Sequence, residues 1–201
     1  MNPYEGCRFK ISQTAINWAH EQAQAVNNKK KQGHLNNSIL KGKGTEAGFL
    51  GEYYWQRYFK EISEIISSDP KADYYNHDIL IGEKFRCEIK TKQRRYWGYN
   101  NLFSQGEASV AKSSSHQTPH LYGFTNVQYE RQDPNTKEWF NPEIITLLGW
   151  MSYNDFKRNK QQWQAGQKDK SNGFVVHQDM DNIKHSELKS IKTLIKELEL
   201  E

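Results

Sequence analysis

Two runs of strict alternation stand close together near the middle of the chain. Ile79, Ile81, Phe85, Cys87 and Ile89 share one parity, and Asp78, Arg86, Glu88 and Lys90 share the other. That is the pattern of two half-buried β-strands. A three-residue loop, Gly82-Glu83-Lys84, pairs Ile81 with Phe85 and Ile79 with Cys87, so that the apolar side chains meet on one face. The same register sets Asp78 opposite Glu88. A two-residue loop would pair Ile81 with Lys84 and Ile79 with Arg86, turning charges into the core, so the alternation selects the longer loop and predicts a hairpin.

Helical spacing predicts further elements. Residues 11–26 carry Ile11, Ala15, Trp18, Ala19 and Val26 on one side. From Gly44 to Phe59, with Thr45 as N-cap, Ala47, Leu50, Tyr54 and Tyr58 form one stripe and Gly48, Glu52, Trp55 and Phe59 the next. Two glycines inside a helix cost about 1 kcal/mol each unless close packing compensates, and close approach to a sheet is the expected reason. Asn154-Asp155-Phe156 opens a basic helix. Residues 186–200 read as an amphipathic helix capped by Ser186, with Leu188, Ile191, Leu194, Ile195 and Leu198 in one stripe. Leu121–Gln128 reads as a strand, joined through the turn Asp133-Pro134-Asn135-Thr136 to another. Glu143–Ser152 and Gly173–His177 are further strands. Asn27–Lys43 reads as a linker and 100–118 as a polar stretch. The fold class expected is α/β: a mixed central β-sheet of four or five strands flanked by α-helices, with an N-terminal helical extension. Residues 1–43 form a basic helix and linker, and 44–201 the main domain.

Composition bounds what such a fold does. At 201 residues the chain is long enough for one domain with a real core. A hydrophobic share of 35% and a mean hydropathy of −0.98 are low, but 13% aromatic residues restore buriable surface. No run approaches the roughly 18 apolar residues of a membrane span, and no signal-peptide core opens the chain, so a cytoplasmic protein without a membrane partner is expected. Two cysteines, one of them on the apolar parity of a strand, agree with a reducing compartment and no disulfide. The net charge of +4 is uneven: residues 1–45 hold seven Lys or Arg against two Glu. Lys29, Lys30, Lys31, Lys41 and Lys43 there, and Lys92, Gln93, Arg94 and Arg95 past the hairpin, suit contact with nucleic acid, as does the later cluster Lys157-Arg158-Lys160. Each cluster also reads as a solvated charge run.

The chemistry suggested by the hairpin follows from its register. Opposed residues on one face have Cβ atoms roughly 4.5–5.5 Å apart, and two carboxylates there repel unless a cation lies between them. Lys90 points the same way as Glu88 and stands ready for a phosphate oxygen or a water. Two acids, a lysine and room for a hard cation suit phosphodiester hydrolysis. No Gly-rich phosphate loop ending in Lys-Ser or Lys-Thr is present, so no nucleotide cofactor is expected, and no Gly-X-Ser-X-Gly or Cys-His couple occurs. His116 and His120 have i, i+4 spacing, but Pro119 interrupts any helix between them and no acid or cysteine completes a zinc set. His77 beside Asp78 is an accessory candidate.

An acid opening one strand followed, after nine residues, by Glu-X-Lys on the next resembles the PD-(D/E)XK nuclease superfamily. Asp78 and Glu88-Ile89-Lys90 fit that pattern, and His77 stands at the name-giving proline. The helix 44–59 is similar to the one that supplies an added acid in many members, with Glu52 as the choice and Glu46 second. The downstream order of strand, Gly149-Trp150, capped helix, strand and final helix agrees as well. The resemblance implies a restriction-endonuclease-like fold and a Mg²⁺-dependent DNA endonuclease, with Mn²⁺ able to substitute. Asp78, Glu88, Glu52 and the Ile89 carbonyl would ligate the metal, and Lys90 would orient the attacking water. A homodimer reading a DNA sequence, of restriction or homing type, is the first expectation and a junction-resolving or repair nuclease the second. A non-catalytic DNA-binding module of the same fold is a third, a basic protein-interaction domain a fourth. Against all of these stands an ordinary solvent-facing hairpin in which Glu and Lys are simply common.

Overall fold

The computed structural model describes residues 7–30, 45–62, 66–67, 78–81, 84–95, 102, 106–111, 118–136, 139–168 and 175–198. Its main sheet runs in the order β1 (Arg8–Lys10), β7 (Trp139–Ser152), β6 (Leu121–Gln132), β4 (Phe85–Arg95), β3 (Ile79–Ile81) and β2 (Ile66–Ser67). Five of these strands carry the sheet, and the two-residue β2 adds to its edge. All pairs are antiparallel except β4 with β6, so the sheet is mixed as expected. A second sheet has the order β5 (Glu107–Ala111), β9 (Met180–Lys184), β8 (Gln161–Trp163).

Helices α1 (Gln13–Lys30) and α2 (Thr45–Ile62) pack together on one face of the main sheet. Leu50, Tyr54, Trp55 and Phe59 of α2 join Ala15 and Ala19 of α1 and Ile79, Cys87, Ile89, Val127, Ile145 and Leu147 of the strands in one core. Cys7 and Cys87 are both free thiols inside it. Gly51 is needed there, because a Cβ on it would stand 2.1 Å from Thr91 Oγ1 of β4. Gly48 meets no such neighbour, so only one of the two glycines answers to close packing. The opposite face is not covered by long helices as expected. The second sheet and the short α3 (Tyr153–Asn159) cover it, with Ala108, Val110, Tyr122, Phe124, Leu148, Phe156 and Ile183 in a second core. No described helix is long and apolar enough to cross a membrane.

Three further expectations are corrected. The polar stretch 100–118 contains β5, and Gln161–Trp163 and Met180–Lys184 are strands where none was read. Their polar sequence hides the period-2 signal because the face they cover is itself partly charged. The strand expected at Gly173–His177 reduces to one bridge, Val175 to Lys168, with 171–174 outside the described residues. The final helix breaks into 3₁₀ turns at His185–Glu187 and Ile191–Thr193 and a four-residue α4 (Leu194–Glu197), and Ser186 lies inside the first turn rather than capping a helix. Tertiary pairing overrides helix propensity here. Lys189 and Trp150 exchange two backbone hydrogen bonds of 2.9 Å, which needs extended chain at that point. The apolar stripe still serves, with Ile191 and Leu194 buried in the main core. Ser152 caps α3, its Oγ accepting the Asp155 N–H.

Candidate active site at the open end of a hairpin

The hairpin has the predicted register, Ile81 opposite Phe85 and Ile79 opposite Cys87. Gly82 and Glu83 of its loop lie outside the described residues. The regular ladder then stops, so Asp78 does not oppose Glu88 as expected. Its N–H donates instead to the Cys87 carbonyl at 3.1 Å, and its Oδ2 accepts the Ile89 N–H at 2.7 Å. The carboxylate thereby takes a donor that a longer β3 would have taken. Since N–H and C=O of one strand residue point to the same side, the Ile89 carbonyl also faces this edge.

Glu88 and Lys90 lie on the face toward the second sheet. Glu88 is 4% exposed, and its Oε1 accepts from Lys90 Nζ at 2.7 Å. Its Oε2 is buried without a hydrogen-bond partner, a cost of about 1–3 kcal/mol or more for such a group unless something meets it. Asp78 is raised to about 7, first by removal from water and then by the Glu88 charge, with Lys90 and the Ile89 N–H pulling it back. Glu52, on α2, is held well above the usual carboxylate range, first by burial and then by Asp78 and Glu88. The three acids and Lys90 are therefore electrostatic neighbours. Glu46, the second choice, is exposed and bonds His20 Nδ1 at 2.9 Å.

The donors suit a hard cation chemically: three carboxylates and a backbone carbonyl, one carboxylate oxygen having no partner. They are not drawn into a closed cage, since among the described residues no three His, Cys, Asp or Glu side chains are set to hold a metal. Lys90 and the Ile89 N–H occupy one oxygen each of Glu88 and Asp78.

The basic candidates have varied placements. Lys92 Nζ donates to the Glu107 carbonyl and Ser109 Oγ, both at 3.2 Å, and Arg94 donates to the same carbonyl at 2.8 Å. These two side chains pin β5 onto β4. Gln93 donates to the Tyr129 hydroxyl at 3.3 Å, and Arg95 is exposed. Lys29 and Lys30 end α1, while Lys31, Lys41 and Lys43 lie outside the described residues, as do His77, His116 and residues 96–101. His120 accepts the Arg86 N–H on Nδ1 at 3.0 Å, at the mouth of a cleft of about 530 Å³ that Phe85, Arg86, Trp150 and Tyr153 also line. Sequence reasoning missed Tyr122 and Asp181, and it named Lys160 only as part of a basic cluster. Only the pairing of β6 with β4 and of β9 with β5 brings them to the Glu88 side. No protein-family model, curated protein or solved structure matches the chain.

Proposed function

We propose that the protein is a Mg²⁺-dependent nuclease hydrolysing DNA phosphodiester bonds on a restriction-endonuclease-like scaffold. The observation that carries this reading is the Lys90–Glu88 pair beside Asp78, whose carboxylate holds the Ile89 N–H at the open end of the hairpin, with Glu52 near enough to feel the charges of both acids. Glu88 Oε2, Asp78, Glu52 and the Ile89 carbonyl would hold the cation, with Mn²⁺ able to replace it. The metal would lower the pKa of water and offset charge on the phosphate. Lys90, braced by Glu88, orients the water toward phosphorus. The bond to the 3′ oxygen breaks as the new one forms, leaving a 5′-phosphate. Sequence-specific cutting by a homodimer is the first form of this reading, structure-selective cutting of branched DNA the second.

One observation favours a different class. Lys90 and the Ile89 N–H already engage Glu88 and Asp78, as they would in a DNA-binding module of the same fold that has no catalytic metal. Incubation with plasmid and branched DNA, with Mg²⁺, Mn²⁺ or EDTA, separates the two. Discrete metal-dependent bands indicate sequence reading, preference for junctions indicates resolution, and no cutting with intact binding indicates the module. Asp78→Asn and Lys90→Ala should each lower the rate roughly 10²- to 10⁴-fold while DNA binding persists. Wild-type cutting by either variant removes the assignment.

A further inference from the structure

A second lysine is braced by a buried acid on the same side of the main sheet as Glu88 and Lys90. Lys160, just past α3, donates to Asp181 Oδ2 at 2.5 Å, and its side chain is 22% exposed. Asp181 shares a face of β9 with Ile183, and its neighbour across the ladder is Val110. Ile183 and Val110 pack with Tyr122 in the second core, so Asp181 looks toward the main sheet. It is 8% exposed, and its Oδ1 is buried without a hydrogen-bond partner, as is Glu88 Oε2.

Tyr122 connects the two pairs. It is the neighbour of Glu88 on the adjacent parallel strand, on the same face, and it contacts the Tyr153 and Phe156 rings. Its hydroxyl keeps its proton well above the ordinary range because of burial first, then Tyr153, Glu88 and Asp181. A protonated hydroxyl has one hydrogen to give, and two carboxylate oxygens lack a donor. The result is a layered arrangement of two buried acids flanking a tyrosine, with a lysine on each acid whose side chain reaches partial exposure, 18% for Lys90 and 22% for Lys160. Fixing each ammonium by an ion pair holds it where part of its side chain meets solvent beside the covered face, and an anion spanning both meets little conformational cost.

We infer that Lys160, positioned by Asp181, is a second phosphate contact of the site and binds the DNA backbone beside the phosphate that Lys90 addresses. This rests on the nuclease reading for its substrate but not for its test. A phosphate contact sets one counterion free, so its removal lowers the salt dependence of binding by about one charge.

DNA affinity of the full chain is measured between 50 and 300 mM salt in the Asp78→Asn background, for Lys160→Met, Lys160→Arg and Asp181→Asn. Lys160→Met should weaken binding about tenfold at low salt and reduce the log–log slope by about one, while Lys160→Arg keeps the slope. Asp181→Asn keeps the charge on the lysine but unfixes it, so it should weaken binding by less than Lys160→Met does and keep the slope. A purely structural ion pair would leave the slope unchanged in Lys160→Met, and that result, or Asp181→Asn binding no weaker than its parent, overturns the inference. If the wild-type protein cuts no DNA but the slope still falls, the contact stands and the nuclease reading falls. If it cuts and neither slope nor KM moves in Lys160→Met, the contact falls alone.

Discussion

Under α2 the main sheet is dry: Ile79, Cys87, Ile89, Val127, Ile145 and Leu147 meet aromatic side chains, and even Thr125 there accepts the Trp55 indole N–H at 2.8 Å. Under the second sheet the same strands present Glu88, Lys90, Lys92 and Arg94 of β4 beside Tyr122, Phe124, Asn126 and Gln128 of β6. Asn126 is fully buried with neither amide atom bonded, and His185 is enclosed with its Nε2 unbonded. One face earns stability through area removed from water, and the other holds ionisable groups at an energetic cost. On the proposed reading, that difference would let the domain host chemistry without unfolding, with the cost on one surface of the sheet and the surplus on the other.

The largest way to break this contrast is to hollow the dry face. Trp55→Ala should cost about 3–5 kcal/mol in urea unfolding and also strand the buried Thr125 hydroxyl. A loss below about 1 kcal/mol would mean the two faces do not differ as described. His185 tests the wet face next. Burial holds its pKa down at about 3, with Arg94 adding to the effect, and its Nδ1 lies 2.7 Å from the Leu102 carbonyl. The folded form therefore stays neutral while the unfolded chain takes up a proton below its ordinary value near 6.5. Stability should be complete above that pH and fall as pH drops toward 3, by about 2–4 kcal/mol. A flat profile between pH 7 and 4.5 contradicts the assignment.

Asp78 should act with the opposite sign. Its pKa is raised, so its protonated form favours folding, and the contribution present below about pH 4 is lost as pH rises through about 7. Asp78→Asn should accordingly stabilise the metal-free protein by about 1–3 kcal/mol at pH 8 and have little effect at pH 3.5. Added Mg²⁺ should raise the melting temperature of the wild type and not of the variant. Equal melting temperatures at pH 8, with and without the substitution, would argue that the acids are too far apart to repel. The smallest test lies on α2. Gly48→Ala should stabilise by about 1 kcal/mol from helix propensity, because a methyl there meets nothing, whereas Gly51→Ala should destabilise by forcing Thr91 aside.

The same contrast explains what the sequence revealed. Parity of Ile79, Ile81, Phe85 and Cys87 gave the hairpin register, since one side of that ladder faces an apolar core and a slip would bury charge. The stripe of α2 was legible for the same reason, down to Gly51. Strands β5, β8 and β9 were not, because they cover a surface where Ser109, Asp181 and Asn182 are tolerated and alternation is lost. Asp78, Glu88, Lys90 and Glu52 were singled out as candidates by spacing and resemblance. Asp181 carries no such local signal and Lys160 only its place in a basic cluster, their position beside Tyr122 being set by pairing between distant segments.

Among the described strands β1 pairs with β7, Arg8 against Thr146 and Lys10 against Ile144, and Lys189 bonds to Trp150 of the same strand. During synthesis β1 therefore stays without its ladder partner until β7 has emerged, and the Trp150 bridge waits further for Lys189. Synthesis speed across β7, rather than hairpin formation, would set how long the nascent protein needs a chaperone.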